Sequence, residues 1–210
     1  MLRIYNFARG ARGLRIMWQC EEMGLPYEVE RITYPVSEAY RARHPLGSVP
    51  FLEDDATGVA MSESVAVMLY LAQQYGPTPL LPLHDARPLA RALQMATFGE
   101  ASLGATMNPM IATRFAAPEA DKHNWSVSWL EQRTGQAVDF TAQLLADSRW
   151  LAGEELTVAD LSVIPALLMW RGIFARVLPE RLAAYVERGT ARPAYARARV
   201  RCDGEPERRA

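Results

Sequence analysis

Prolines crowd one stretch of this chain, residues 77–88, which runs PTPLLPLHDARP. Proline fixes the backbone φ angle and has no N–H to donate, so this stretch disfavours helices and central strands. Before it, strand and helix patterns alternate. Leu2–Phe7 has the two-residue period of a strand, and the apolar residues that follow recur at helical spacing up to Gly24. After it, almost every apolar pattern is helical, so the two halves fold as different kinds of unit.

Three regions follow from this division. Residues 1–78 give the order strand, helix, strand, irregular segment, hairpin and helix, which predicts a small α/β domain. We predict a linker at residues 79–88 and an all-helical domain over residues 89–210. The five arginines between residues 188 and 201 predict a solvated helix face near the end of the chain.

A capping box marks the start of one helix in the second half. Thr157 offers a hydroxyl at the N-cap, and Asp160 follows three residues later with an acid that reaches back to the N-cap amide. Leu156 and Leu161 have the spacing of a hydrophobic staple around it. This pattern predicts a role in folding rather than in catalysis.

The composition excludes several classes of protein. Half of the 210 residues are hydrophobic and 22% are charged, so the chain can bury a sizeable core. The formal net charge of -1 gives no electrostatic case for binding nucleic acid. Cys20 and Cys202 alone form neither a CxxC redox motif nor a four-ligand zinc site, and we predict no metal. No apolar run approaches the ~20 residues that cross a bilayer, and the first residues show no secretory signal. We therefore expect a cytoplasmic protein with no membrane partner.

Three short motifs together are more specific than any of them alone. They are HPLGSVP at residues 44–50, SES at residues 62–64, and WLAG at residues 150–153 ahead of the capping box. In this order and at these separations they resemble the glutathione transferase family, of the bacterial-type cytosolic kind, over nearly the whole chain. The resemblance implies a thioredoxin-like α/β N-terminal domain and an all-α C-terminal domain that lines the electrophile site. It also implies a homodimer that uses glutathione as co-substrate and no metal.

The first two motifs match the positions that bind glutathione in this family: Ser48, Val49, Pro50, Glu63 and Ser64. The resemblance implies a cis Val49–Pro50 bond, and an extended segment there exposes the valine amide and carbonyl to an extended peptide. Glu63 and Ser64 fall in the first turn of a helix, where unpaired amides attract an anion. Ser64 would hold the γ-glutamyl carboxylate and Glu63 the ammonium group. In the simpler alternative, Pro50 begins an edge strand and the Glu-Ser pair caps a helix.

The group that activates the glutathione thiol is open. Members of the family supply a serine, cysteine or tyrosine near the end of the first strand or the start of the first helix. The loop at residues 8–13 reads ARGARG and holds neither serine nor cysteine, with Gly10 where some members have cysteine. The remaining candidates are Tyr5, Arg9 and Arg12, since a guanidinium beside a helix N-terminus stabilises a thiolate.

Each candidate has a simpler alternative, in which Tyr5 packs between sheet and helix and the arginines are solvated loop charges. Thr33 and Tyr34, beyond the second strand, are further hydroxyls that could reach this region.

The function that the resemblance implies is conjugation of the glutathione thiolate to a small apolar electrophile bound between the two domains. Met107, Met110 and Arg114 are our candidates for the electrophile pocket, with interhelical packing as the alternative for the methionines. Two other functions stay open. One is a different glutathione-dependent enzyme on the same fold, such as an isomerase or a dehalogenase. The other is a glutathione-binding regulatory or stress protein with little transferase activity.

Overall fold

The computed structural model describes residues 1–204, which form two compact units. The first consists of Met1–Thr78 together with the chain from Thr190 onward, and the second is Pro79–Gly189. Within the described residues, no helix is long and apolar enough to cross a membrane.

The first unit is a four-stranded mixed sheet with helices. Its elements up to Gln74 are β1 (Leu2–Phe7), α1 (Ala11–Met23), β2 (Tyr27–Ile32), α2 (Glu38–Arg43), β3 (Phe51–Asp54), β4 (Val59–Ser62) and α3 (Ser64–Gln74). The strand order is β2-β1-β3-β4, with β2 parallel to β1 and with β3 antiparallel to both β1 and β4. The predicted thioredoxin-like α/β layer is confirmed.

The apolar spacing of α1 explains its place in the core. Leu14, Met17 and Trp18 are all at most 1% exposed, as one apolar face of a helix requires. The helix ends at Gly24, which adopts a left-handed conformation with φ 65° and donates its amide to the carbonyl of Cys20. Glycine takes this conformation without the steric cost that a Cβ atom brings, so it terminates the helix as predicted.

The last helix, α9 (Pro193–Asp203), belongs to the first unit and packs on α1. The rings of Trp18 and Tyr195 lie 5.0 Å apart in an edge-on contact. Arg192 donates to both carboxylate oxygens of Glu22, at 2.6 and 2.7 Å. The prediction that residues 89–210 form one helical domain therefore needs correcting at this end. The prediction of a solvated arginine face is wrong for Arg192, because it pairs with an acid of α1.

The second unit is built from helices. Its elements are α4 (Ala86–Phe98), a π-helical segment (Gly99–Gly104), α5 (Ala105–Ala116), a 3-10 turn (Glu119–Asp121), α6 (Trp125–Leu144), α7 (Val158–Ile173) and α8 (Glu180–Thr190), the last of which ends at the first residue of the returning chain. The irregular connection runs from the end of α3 at Gln74 to the start of α4 at Ala86, so α4 begins inside the predicted linker at residues 79–88. The predicted helical nature of this half is confirmed.

A glycine lets two helices of this unit approach closely. A Cβ atom at Gly99 would lie 2.5 Å from the hydroxyl oxygen of Ser162 on α7, so a larger residue there would force the helices apart. The same hydroxyl donates to the carbonyl of Ala96 at 2.7 Å. The contact thus satisfies a buried polar group while it sets the spacing between α4 and α7.

The capping box at the start of α7 is present as predicted, and it does more than cap the helix. Asp160 is fully buried and accepts a hydrogen bond from the amide of Thr157 at 2.8 Å. It also accepts from the amide of Leu151 at 3.0 Å and from the hydroxyl of Tyr185 at 2.8 Å. One carboxylate therefore joins α7 to the preceding loop and to α8.

We expect Asp160→Asn to lower the free energy of unfolding by about 1–3 kcal/mol, because its NH2 group would face donors and leave at least one of them unsatisfied. Urea unfolding followed by circular dichroism measures this. The matched control is Asp139→Asn on the exposed face of α6, which we expect to stay within about 0.5 kcal/mol of the parent. Equal unfolding midpoints for the two variants would contradict the structural role of Asp160.

Candidate active site

The strand register brings three predicted segments to one edge of the sheet. Tyr5 of β1 pairs with Phe51 of β3, and Phe51 pairs with Ser62 of β4. Because both pairings are antiparallel, the end of β1, the start of β3 and the end of β4 meet on the same side of the sheet, across the strand ends. We call this side the candidate edge. The loop after β1, the segment at residues 48–50 and the first turn of α3 therefore emerge side by side.

Val49 presents an open stretch of backbone at this edge. Its peptide bond to Pro50 is cis, as the resemblance implied. Neither its amide nor its carbonyl has a hydrogen-bond partner among residues 1–204. Its half-buried side chain packs against a cluster formed by Tyr5, Tyr40 and Phe51, which anchors the residue. Val49 thus offers one backbone donor and one backbone acceptor to an extended peptide.

Two residues that the sequence analysis did not assign hold the chain just before Val49. The hydroxyl of Tyr40 donates to the carbonyl of Ser48 at 2.7 Å, and burial raises the pKa of Tyr40 to about 12, so it stays protonated. His44 Nε2 lies 2.8 Å from Ser48 Oγ, and its ring stacks on Phe51 at 4.9 Å. Ser48 is therefore fixed through both its backbone and its side chain. The HPLGSVP motif, which begins at His44, was the sequence feature that could have indicated that His44 holds Ser48.

Glu63 stands in a strained conformation at the start of α3. Its φ of 69° and ψ of 103° are rare for a residue with a Cβ atom, and such residues concentrate at functional sites. Its carboxylate is exposed and has no partner within the described chain. The first amides of α3 after it have no intrahelical acceptor, as at every helix N-terminus. A free acid and a set of free donors therefore lie next to each other.

Ser64, the next residue, rests on a buried cation. Its side chain is 3% exposed, and its hydroxyl oxygen accepts a hydrogen bond from Nη1 of Arg15 at 3.1 Å. Arg15 is 1% exposed, and its guanidinium stays charged at any ordinary pH. This charge adds to the positive end of the α3 dipole, and both favour an anion at the first turn. In the sequence, Arg15 stands among Leu14, Ile16 and Met17 of the apolar pattern of α1, and this position was the signal that Arg15 is buried.

The loop after β1 is held by Asn6 and by the end of α9. Nδ2 of Asn6 donates to the carbonyl of Gly10 at 3.2 Å, and the amide of Arg9, with φ 62°, donates to the carbonyl of Cys202 at 3.1 Å. A Cβ atom at Gly10 would lie 2.7 Å from Asn6 Oδ1, and one at Gly13 would lie 2.2 Å from Asn6 Cγ. Asn6 therefore occupies the space that a serine or cysteine side chain at either glycine would need.

Tyr5 is a poor activator in this geometry, which corrects one of our candidates. Its hydroxyl donates to Oε2 of Glu53 at 2.7 Å, and Glu53 pairs with Arg3, further from the edge where the loop emerges. Burial and the bond to Glu53 both raise the pKa of Tyr5, so the phenol holds its proton. Arg9, with an exposed side chain, and Arg12, half-buried in the first turn of α1, remain as the candidates at this edge.

The second unit contains the residues predicted for the electrophile. Met110 and Arg114 of α5 line a cavity of about 420 Å³. Met107 is fully buried and does not line this cavity, which favours the alternative role in packing. A larger, more open depression of about 680 Å³ lies at the start of α4 and contains none of the predicted residues.

Comparison with known families assigns the chain. Residues 5–79 match the model for the glutathione S-transferase N-terminal domain, and residues 108–193 match the model for the C-terminal domain of the same family. The chain belongs to the glutathione S-transferase family. The two matched ranges contain the candidate edge of the first unit, from Tyr5 to Ser64, and the cavity of the second.

Individual relatives of this transferase family member are distant. Glutathione S-transferase 3 of Schizosaccharomyces pombe is 28% identical over 176 residues, which cover 75% of this chain and 69% of that protein. Maleylacetoacetate isomerase of Rhizobium meliloti is 26% identical over 171 residues, 77% of this chain and 78% of that protein. A glutathione transferase family member from Pseudomonas fluorescens, solved with two glutathione molecules bound, superposes with a TM-score of 0.83 at 21% identity, covering 94% of this chain and 91% of that one. The last similarity shows the fold.

Two substitutions at Glu63 separate its strain from its charge. We expect Glu63→Gly to raise the free energy of unfolding by about 1 kcal/mol, since glycine relieves a strain of about 1–3 kcal/mol but loses about 0.5–1 kcal/mol in chain entropy. Glu63→Gln keeps the strain and should leave the free energy of unfolding within about 0.5 kcal/mol of the parent.

Both Glu63 variants should bind glutathione about tenfold more weakly, because the carboxylate that would pair with an ammonium group is gone. Urea unfolding and calorimetric titration with glutathione give the two readouts. The assignment of Glu63 to the site fails if Glu63→Gln binds glutathione as the parent does.

Proposed function

We propose that this protein is a glutathione transferase that joins the glutathione thiolate to a small apolar electrophile. The observation that carries the proposal is the open amide and carbonyl of Val49, beside a helix start with a free acid at Glu63. This arrangement complements an extended peptide that has an ammonium and a carboxylate at one end. Membership of the transferase family supports the same assignment.

The proposed binding mode uses each part of the edge for one part of the tripeptide. The cysteinyl backbone of glutathione pairs with the amide and carbonyl of Val49, as a short added strand. The γ-glutamyl carboxylate lies at the first amides of α3 and Ser64, where the Arg15 charge is added to the helix dipole. The γ-glutamyl ammonium pairs with Glu63. Ser48 keeps the segment in place through Tyr40 and His44.

The thiol must lose its proton before it can attack. A free thiol of this kind has a pKa of about 8.5, and lowering that pKa by about two units takes about 2.7 kcal/mol of preferential thiolate stabilisation. The N-terminus of α1 has no acid in its first turn, and its N-cap residue makes no side-chain hydrogen bond. The positive end of the helix dipole and the guanidinium of Arg12 both favour an anion at this place. We propose that the helix start, Arg12 and Arg9 together stabilise the thiolate.

The chemical step needs no group beyond these. The thiolate sulfur forms a bond to the electrophilic carbon. In a substitution the leaving group departs with its bonding electron pair; in an addition the π pair of the double bond moves onto the neighbouring activated carbon, which takes a proton from solvent. The proton of the thiol goes to solvent. The transfer product keeps glutathione attached, so the reaction consumes glutathione in proportion to the electrophile.

An isomerase is the second candidate, because one relative is named a maleylacetoacetate isomerase and another a probable maleylacetoacetate isomerase. An isomerase that uses glutathione adds the thiolate to a double bond and then expels it, so glutathione is not consumed. Measuring the glutathione left after turnover distinguishes the two. A role in detoxification, a homodimer and a cytoplasmic location remain predictions, as does a glutathione-binding protein with little activity.

Thiolate absorbance in the glutathione complex tests the proposed activation. We expect the thiol pKa of bound glutathione to fall below the free value of about 8.5, and Arg9→Gln or Arg12→Gln to raise it again by about 1 unit, which corresponds to about 1.4 kcal/mol. Tyr5→Phe is the control and should leave the thiol pKa unchanged, because Tyr5 donates to Glu53. An unchanged thiol pKa in both arginine variants would show that the activator lies elsewhere.

A further inference from the structure

The cavity that contains Met110 and Arg114 has the size of a small-molecule site. It is enclosed by α5, by the chain just before α6, by the first half of α6 and by the residue after α7. Its volume of about 420 Å³ falls within the ~300–1,000 Å³ usual for ligand pockets. All of these elements belong to the second unit, so the cavity can be described from that unit alone.

The floor of the cavity is apolar. Met110, which is 2% exposed, lines it together with the half-buried side chains of Val127 and Phe174. The ring of Phe174 packs against Trp170, with the ring centres 5.5 Å apart. A flexible thioether beside a fixed aromatic ring adapts to flat apolar groups. These three side chains offer an apolar surface to an aromatic or unsaturated group, within a cavity whose other lining residues are polar or charged.

The rim of the cavity is basic. Arg114, Lys122 and His123 line it, and Glu131 is its one acid. Glu131 is already paired, because it accepts a hydrogen bond from Nη2 of Arg176 at 2.7 Å. Lys122 is also paired, through Nζ and Glu119 at 2.8 Å. Each of these two ion pairs is neutral by itself, which leaves one lining guanidinium without a paired acid among the described residues.

That lining residue is Arg114. Within residues 1–204 its guanidinium has no carboxylate partner and no hydrogen bond. A guanidinium presents two parallel N–H donors, which match the two oxygens of a carboxylate. Arg114 is exposed where it lines the cavity, so an acid can reach its guanidinium from solvent.

We propose that this cavity binds an apolar molecule with an acid group, with Arg114 holding the acid and Met110 and Phe174 contacting the body. The binding of such a molecule in the cavity does not depend on the proposed transferase function. The further claim that the bound molecule is the electrophile rests on that function, and it narrows the substrate class to aromatic or unsaturated electrophiles that carry a carboxylate.

Binding of an unreactive pair of probes tests the cavity itself. We expect 2-naphthoate to bind Arg114→Gln about tenfold more weakly than the parent protein, while the neutral 2-naphthamide changes by less than about twofold. Arg133→Gln is the matched control, because Arg133 lies over the ring of Trp129 and does not line the cavity. Calorimetric titration of the parent and of both variants with each of the two probes measures these affinities. The inference is overturned if 2-naphthoate binds Arg114→Gln as tightly as the parent.

A reactive pair then tests the substrate class. Glutathione and 4-chloro-3-nitrobenzoate give a thioether, chloride and a proton, because the sulfur bonds to the carbon that loses chloride. We expect Arg114→Gln to lower kcat/KM about tenfold for this acid and to leave kcat/KM for 4-chloro-3-nitrobenzamide within about twofold. Equal losses for both would overturn the assignment of Arg114 to the acid.

The two proposals fail in different ways. If neither chloride reacts and the protein does not bind glutathione, the transferase proposal fails, while a dependence of 2-naphthoate binding on Arg114 still supports the cavity. If both chlorides react but Arg114→Gln changes neither the binding of 2-naphthoate nor the reaction of the acid, the transferase proposal stands and the cavity inference fails.

Discussion

The pairing of β3 with both β1 and β4 is the constraint on which the candidate site depends. Tyr5, Phe51 and Ser62 lie side by side in the sheet, so the chain that leaves each of these strands at the same end must leave it close to the others. A slip of one residue in either pairing would turn the side chains of a strand to the opposite face. It would also move Val49 away from the start of α3. The site is thus a consequence of register before it is a matter of particular side chains.

Asn6 gives a physical reason for the most unusual feature of the sequence. The loop after β1 lacks the serine or cysteine that members of the family place there. In the structure, Asn6 fills the space in front of Gly10 and Gly13 and fixes the loop through the carbonyl of Gly10. The two glycines and the asparagine therefore form one steric unit. Because Asn6 would have to move to admit a side chain at either glycine, activation by cations and by the start of α1 is the proposal that fits this loop.

How far the sequence leads depends on whether a residue acts through its backbone or through the direction of its side chain. Val49 and Glu63 belong to short motifs, and their places just before a strand and just before a helix could be predicted. Their roles toward glutathione stay predictions. Tyr5 could not be judged in advance, because strand periodicity gives its face of the sheet but not that its hydroxyl reaches Glu53.

Buried polar contacts between distant segments were equally out of reach of the sequence. Arg15 lies among apolar residues of the first helix, and nothing in its spacing reveals that it meets Ser64, 49 residues later. The position of α9 was missed for the same reason. Its arginines have the pattern of an exposed face, and only the tertiary structure shows that Arg192 pairs with Glu22 of α1.

The central claim is that glutathione occupies the open backbone of Val49. Hydrogen exchange of individual backbone amides, followed by NMR with and without saturating glutathione, tests it most directly. The Val49 amide has no acceptor within the described chain, so it should exchange rapidly in the free protein and become strongly protected in the complex. If the Val49 amide exchanges at the same rapid rate in the saturated complex, glutathione does not pair with this edge and the proposed site is wrong.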